Sequence, residues 1–197
     1  MGNAICVGGL ATTSEHSVRS VRLLKPGGLN QPPETPYEIG EVWDLDYCDS
    51  PDIVPPHIED VIVRERARVG RIRDLRSWLM KVVQPWEGWP DKLYDGLVHA
   101  TSSGSGYVSR RTGVPMMSTG FWTPDRALTR STENDRTRYR YPSEVGVRCL
   151  TYVGVAESIE RIPSRTLLRV SLARWWRPDD APDMEERCYL QLSGWFL

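Results

Sequence analysis

The most informative stretch for function is RTRYRYP, in the second half of the chain. On a strand, Arg136, Arg138 and Arg140 would share one face, because side chains alternate between the two faces of a sheet. Tyr139 and Tyr141 would then occupy the opposite face. Guanidinium groups pair with phosphates and aromatic rings stack on bases, which are the contacts that hold single-stranded nucleic acid. The stretch therefore predicts a nucleic-acid-binding strand, with a charge-protected edge strand as the alternative.

The end of the sequence predicts an antiparallel hairpin of two strands, RTLLRVSLARWW and ERCYLQLSGWFL, joined by a proline-rich connection. In both runs aliphatic residues alternate with polar or aromatic ones, so one face of the hairpin is apolar and expected to be buried. The predicted outer face carries Arg169, Trp175, Arg187, Tyr189 and Trp195. If exposed, these side chains would extend the stacking surface. The alternative is that a neighbouring element covers them and the tryptophans serve only as packing.

The segment HATSSGSGYVSRR resembles a phosphate-binding loop in composition only, because it lacks the GK[ST] ending of a P-loop. We interpret it as a flexible loop. In a nucleic-acid-binding protein, its Tyr107, Arg110 and Arg111 could clamp the phosphate backbone, which positions a strand without reading its sequence.

Two weaker patterns concern catalysis. In PPHIED, His57 with Glu59 or Asp60 could form a general base with an orienting carboxylate. A histidine in a proline-rich loop more often hydrogen-bonds to backbone, and we expect a structural latch here. The sequence contains no GxSxG motif and no nucleophile with a base at useful spacing.

A group of carboxylates in the first half could bind Mg²⁺ as a nuclease would: Glu41, Asp44, Asp46, Asp49 and Asp52. Asp44 and Asp46 would share a strand face, but neither a third placed carboxylate nor a lysine accompanies them. A metal-dependent nuclease or hydrolase is therefore the least favoured function. We expect a binding protein rather than an enzyme, with no cofactor and no metal.

The four cysteines are Cys6, Cys48, Cys149 and Cys188, with no CxxC pair and no histidine at ligand spacing. This pattern predicts buried thiols rather than a zinc site or a disulfide framework. No apolar run is long enough to be a membrane helix, and we expect a cytoplasmic protein.

Charge is segregated along the chain although the formal net charge is only −1. From Glu38 to Asp60 every charged side chain is acidic, whereas Arg110 to Arg148 is rich in arginine. The second half is therefore the better candidate for nucleic acid. An acidic first half instead favours the main alternative function, a subunit that docks a basic partner protein.

Strand patterns dominate the sequence. AICVGGLATT and SVRSVRLL predict the first two strands, joined by a polar turn, and no βαβ alternation occurs. One helix is predicted near residues 71–84, where Ile72, Leu75 and Leu79 recur at helical spacing before Pro85. We predict an all-β protein of two small barrels: residues 1–84 with that helix, a linker over 85–95, and residues 96–197 ending in the hairpin.

Several of these stretches resemble the dual OB-containing domain family of prokaryotic conflict and defence systems. They are CVGG, VRLL, IGEVWDLD, PPHIEDV and the closing LLRVSLARWW with CYLQLSGWF. The resemblance covers nearly the whole chain and implies two fused OB barrels that hold nucleic acid beside an effector encoded nearby. It carries no catalytic signature. The acidic first half departs from what a nucleic-acid-binding barrel would show.

Overall fold

A computed structural model describes residues 4–12, 18–133 and 135–197 of the chain. Strands make up 47% of the structure and helices 8%, which confirms the predicted all-β class. The chain divides into two compact units, Met1–Val83 and Gln84–Leu197. The sheets do not close into barrels. Within the described residues, no helix has the length and apolar character needed to cross a membrane.

The first unit contains a four-stranded sheet in the order β1-β2-β4-β3. Its strands are β1 (Val7–Thr12), β2 (Val18–Leu24), β3 (Glu41–Asp49) and β4 (Asp60–Arg71). A small core of Val21, Leu23, Val61 and Val63 joins β2 to β4. The polar turn predicted between the first two strands, residues 13–17, lies outside the described residues.

Strand β4 is much longer than its parallel partner. Strand β2 pairs with β4 only from Arg22 to Leu24, whereas β3 pairs antiparallel with almost the whole of β4. After Ile62, β4 therefore continues with a single partner strand among the described residues. Beyond Ile62, the side of β4 that faces the loop after β2 therefore has no paired strand among the described residues.

The predicted helix is present as α1 (Leu75–Val82), shorter than the predicted 71–84. Its N-cap is Asp74, whose side chain accepts a hydrogen bond from the Ser77 amide at 2.9 Å. This backbone hydrogen bond lowers the pKa of Asp74 below its ordinary value. Val83 is already extended, two residues before Pro85.

The segment predicted as a linker, residues 85–95, is instead part of the second unit. It contains the short strand β5 (Trp86–Glu87) and a 3-10 helix at Pro90–Gly96. The side chains of Leu93 and Tyr94 are 0% and 1% exposed. Glycine and proline correctly indicated turns here, but the aromatic and aliphatic side chains between them supply apolar surface that the core buries.

The second unit is built on one ten-stranded sheet in the order β12-β9-β10-β11-β14-β13-β8-β5, to which β7 and then β6 are added through β14. The strands are β6 (His99–Ala100), β7 (Gly106–Ser109), β8 (Thr119–Thr123), β9 (Leu128–Glu133), β10 (Arg136–Arg140), β11 (Cys149–Tyr152), β12 (Arg161–Ile162), β13 (Leu167–Leu172) and β14 (Arg187–Phe196). A single hydrophobic cluster, which includes the fully buried Trp122, fills this unit.

The predicted closing hairpin is formed by β13 and β14, but its register contains a bulge. Arg169 pairs with Gly194 and Val170 with Leu192, so Ser193 is an extra residue in β14. Because side chains alternate with a period of two, one extra residue moves all later side chains to the opposite face. Trp195 therefore joins the core face, and Phe196 takes the outer one.

Candidate functional site

A row of aromatic rings crosses three paired strands of the second unit. His99 of β6, Tyr107 of β7 and Tyr189 of β14 are directly opposite one another in register. Successive ring centroids are 6.1 Å and 6.2 Å apart, and the ring of Trp176 continues the row 6.0 Å beyond Tyr189. We call His99, Tyr107, Tyr189 and Trp176 the aromatic row.

Backbone pairing fixes the position of Trp176. Its amide donates to the carbonyl of Arg187 at 3.0 Å, and the Arg187 amide donates back to the Trp176 carbonyl at 2.9 Å. The Trp176 side chain remains 51% exposed. A large exposed indole on a hydrogen-bonded backbone is well suited to bind a flat ligand at small entropic cost.

Two arginines stack on aromatic rings of this surface. The guanidinium of Arg187 lies 4.0 Å from the centroid of Tyr107, and that of Arg110 lies 4.6 Å from the centroid of Trp175. Such stacking keeps the planar guanidinium in place against the ring. Burial disfavours the charge on Arg187, but the hydrogen bonds that its guanidinium donates to Tyr189 and Glu185 outweigh burial and raise its pKa.

A single carboxylate organises the arginines. Glu185 lies 3.2 Å from Arg111 and 3.3 Å from Arg187. Its pKa is lowered, chiefly by a hydrogen bond from Ser109, against an opposing effect of burial and with the support of Arg111. Glu185 is therefore ionised at neutral pH and neutralises only part of the local positive charge.

Beside these arginines lies an open groove of about 690 Å³. It is lined by four arginines, Arg110, Arg111, Arg177 and Arg187, and by residues 182–186, which include three carboxylates. The groove adjoins the end of the row at Arg187 and Trp176. Stacking rings next to guanidinium groups can hold bases and phosphates of one strand at the same time.

Six of the residues singled out from the sequence come together on this surface: Tyr107, Arg110, Arg111, Trp175, Arg187 and Tyr189. Sequence reasoning did not find His99 or Trp176. The signal that reveals them is the pairing of β6, β7 and β14, which joins segments distant in the sequence.

Tyr139 of β10 and Tyr141, which follows the strand, are not available to a ligand. Tyr139 and Tyr141 are 0% and 2% exposed, so their predicted role in stacking is wrong. The Tyr139 hydroxyl donates to the Ile159 carbonyl at 2.8 Å, and that of Tyr141 donates to Asp125 at 2.7 Å. Burial, with Asp125 as a second cause, raises the pKa of Tyr141 to about 12. The predicted alternation is correct, but the tyrosine face is the core.

The arginines of β10 are partly engaged in ion pairs. Arg138 and Arg140 both pair with Glu133 of β9, and Arg138 is also half-buried. Arg136 is exposed and forms no ion pair with any described residue. The alternative explanation, an edge strand, is also wrong, because β10 lies between β9 and β11.

The remaining hairpin residues do not reach the aromatic row. Trp195 packs on the core with Tyr139 and Tyr152, at centroid distances of 5.7 Å and 5.0 Å. Arg169 is half-buried and pairs with Gly194, at the opposite end of β14 from Tyr189. The bulge explains why Trp195 is lost from the predicted outer face.

The catalytic candidates of the first unit are buried. His57, Glu59 and Asp60 are 2%, 5% and 3% exposed, and Asp60 forms an ion pair with Arg22. A substrate could not reach these groups without rearrangement. Their burial suits the structural latch rather than a general base.

The acidic strand β3 is flanked by arginines. Glu41 pairs with Arg68 at 2.6 Å, and Asp49 pairs with Arg19 at 2.9 Å. The pKa of Glu41 is lowered, since hydrogen bonds from the Glu38 amide and Arg68 outweigh desolvation. In the part of the chain that the structure describes, no group of three or more potential ligands could hold a metal ion.

The family model of the dual OB-containing domain matches residues 1–195. The chain belongs to the dual OB-containing domain family. This confirms the resemblance of the sequence motifs at the level of the family. Neither the curated proteins nor the solved structures gave a significant match to this chain. An OB-containing architecture is typical of a binding module, and OB folds commonly bind single strands.

Proposed function

We propose that this dual OB-containing protein binds single-stranded nucleic acid on the aromatic row and the adjoining arginines of its second unit. The observation that carries the proposal is the stacking of Arg187 on Tyr107 in the middle of a row of rings. Bases would stack on Trp176 and Tyr189, while Arg110 and Arg111 would contact phosphates.

The spacing of the rings favours a single strand over a duplex. Ring centroids about 6 Å apart are separated by nearly twice the rise of about 3.4 Å per nucleotide within a B-DNA strand. An extended strand can unstack to place bases on Tyr189 and Trp176, whereas a duplex keeps its bases paired and stacked. Tyr107 is only 8% exposed and supports the row instead of receiving a base. Binding would therefore depend on stacking and charge rather than on the sequence of bases.

We further propose that the protein is a non-enzymatic accessory module in the cytoplasm, acting with a partner encoded nearby in a prokaryotic defence-type system. The family match supports a binding module, and the defence-type setting is what the resemblance of the sequence motifs implies. Holding nucleic acid beside an effector needs affinity but no reactive group, which suits a surface made of rings and arginines.

Fluorescence anisotropy with labelled DNA and RNA strands of roughly 16 nucleotides, the upper site size of one OB fold, tests the proposal. Wild type should bind, and binding should weaken with salt. The double variant Arg110→Ala, Arg111→Ala should bind more weakly, and Arg136→Ala should bind as wild type does. Lack of binding at low salt, or equal loss in Arg136→Ala, would contradict the proposal. The first result would favour a protein partner instead.

A further inference from the structure

A second site lies in the first unit, where β2 ends and β4 continues without it. The chain turns away at Lys25, and the loop of residues 25–36 runs beside the start of the exposed part of β4. Between them is a cleft of about 410 Å³. Its lining includes Lys25, Thr35, Arg64 and Arg66.

The loop that forms one wall of the cleft is held in place by hydrogen bonds. The backbones of Gln31 and Ile5 exchange two of them, at 2.8 Å and 3.1 Å. The Gln31 side chain is 3% exposed and donates to the Leu23 carbonyl at 3.1 Å. The cleft is therefore largely preformed, so that a ligand would not have to order the loop.

The arginines that line the cleft differ from the other arginines of this sheet in lacking an ion pair with a described residue. Every other arginine of the four strands is engaged in an ion pair: Arg19 with Asp49, Arg22 with Asp60, Arg68 with Glu41 and Arg71 with Glu38. Arg64 and Arg66, which line the cleft, form no ion pair with a described residue, and neither does Lys25. Against these three cations the lining contains one carboxylate, Glu34. The cleft therefore carries an excess of positive charge.

Two hydroxyl groups beside the cations also lack a protein partner. The Thr35 Oγ1 atom and the Tyr37 hydroxyl are buried, and neither forms a hydrogen bond within the described part of the chain. Thr35 lines the cleft, and the Tyr37 ring lies 5.4 Å from the guanidinium carbon of Arg66. Both oxygens are enclosed by protein, so the cations rather than these hydroxyl groups would make the contacts of a ligand in the cleft.

We propose that this cleft binds a phosphate group, with Lys25, Arg64 and Arg66 as its cationic contacts. A phosphate supplies several acceptor oxygens, and arginine pairs with it in bidentate geometry. The cleft volume lies within the range of about 300–1,000 Å³ that holds small ligands. The site belongs to the first unit and is independent of the nucleic-acid surface proposed above.

Isothermal titration of the full chain with inorganic phosphate, pyrophosphate and ADP tests this site and distinguishes the sources of the phosphate. Equal affinity for pyrophosphate and ADP would assign the site to phosphate alone, and tighter binding of ADP would assign it to a nucleotide. In either case the double variant Arg64→Gln, Arg66→Gln should weaken binding by about tenfold or more.

Arg73→Gln is the matched control, because Arg73 is an exposed arginine of the same unit that does not line the cleft. Its affinity should equal that of wild type. Unfolding temperatures without ligand would show that all variants fold. Absence of binding to all three ligands would overturn the proposal. So would binding that survives Arg64→Gln, Arg66→Gln but is lost in Trp176→Ala, since that result would place the ligand on the second unit.

Discussion

The guanidinium of Arg187 lies 4.0 Å from the centroid of the Tyr107 ring, across the pairing of β7 with β14. The two residues are diagonal neighbours, because Tyr107 pairs with Tyr189 and Arg187 pairs with Ser109. Glu185 contacts Arg187 from a different direction, at 3.3 Å. The arginine is thus oriented by a ring and a carboxylate before any ligand binds, which reduces the entropy lost on binding.

Replacing Trp176 by alanine should weaken binding of single strands with little effect on folding. Base–ring stacking contributes about 1–3 kcal/mol, so we expect roughly a 5- to 150-fold loss in affinity. The indole is 51% exposed, and its removal should change the unfolding temperature little. Anisotropy and thermal unfolding measure the two effects. Met117→Ala, which removes another exposed apolar side chain (45% exposed), should leave affinity unchanged.

The double variant Arg110→Ala, Arg111→Ala should reduce the salt dependence of binding as well as its strength. Each phosphate contact on a single strand contributes about −0.7 to the slope of log K against log salt. If both arginines contact phosphates, the slope should become less negative by about 1.4. Affinity measured over a series of salt concentrations gives this slope. An unchanged slope would show that these arginines do not contact the backbone.

Glu185→Gln should destabilise the second unit at neutral pH but not in acid. The pKa of Glu185 in the folded protein lies below the ordinary value of 4.5, chiefly through Ser109. A carboxyl group with a depressed folded pKa stabilises the fold above its unfolded pKa and loses this contribution as pH falls through the folded pKa. The difference from wild type should therefore be full above about pH 4.5, shrink as the pH falls below that value, and vanish once the pH is below the pKa of Glu185 in the folded protein. Denaturant unfolding at several pH values measures it, with Glu186→Gln as the exposed control.

Tyr139→Ala should strongly destabilise the second unit, so it cannot by itself test whether Tyr139 binds a ligand. The side chain is fully buried, and truncation of a large buried aromatic costs about 3–5 kcal/mol. Tyr139→Phe keeps the ring and removes only the hydroxyl, which bonds both the carbonyl and the amide of Ile159. It should cost about 1–3 kcal/mol in the free energy of unfolding. The affinity of folded Tyr139→Phe for single strands should equal that of wild type. If folded Tyr139→Phe lost affinity for single strands, Tyr139 would have to be part of the binding site.

The strand β10 shows how far periodicity can be trusted. Alternation in the sequence correctly separated Arg136, Arg138 and Arg140 from Tyr139 and Tyr141. Alternation does not specify which face is exposed to solvent. A period of two shows only that residues share a face, and it carries no information about what covers that face. The tyrosines are core, and Glu133 of the neighbouring strand contacts two of the arginines.

The closing hairpin shows a different limit. Its two strands and their pairing followed from the alternation of aliphatic residues in each run. One extra residue at Ser193 exchanges the faces of Trp195 and Phe196. Gly194 beside it is the local signal, because a glycine inside a strand often marks a bulge, but alternation alone does not use that signal. A single shift in register was enough to move one predicted site residue into the core.

The sequence by itself determined the β class, the helix after β4, the hairpin and the family, because these depend on local periodicity and on short motifs. Only the tertiary structure decided the two candidate sites. The aromatic row requires the register of three strands that are far apart along the chain, and the cationic cleft requires that β4 extend beyond β2. Both depend on contacts between distant segments, and such contacts leave no periodic pattern in the segments themselves.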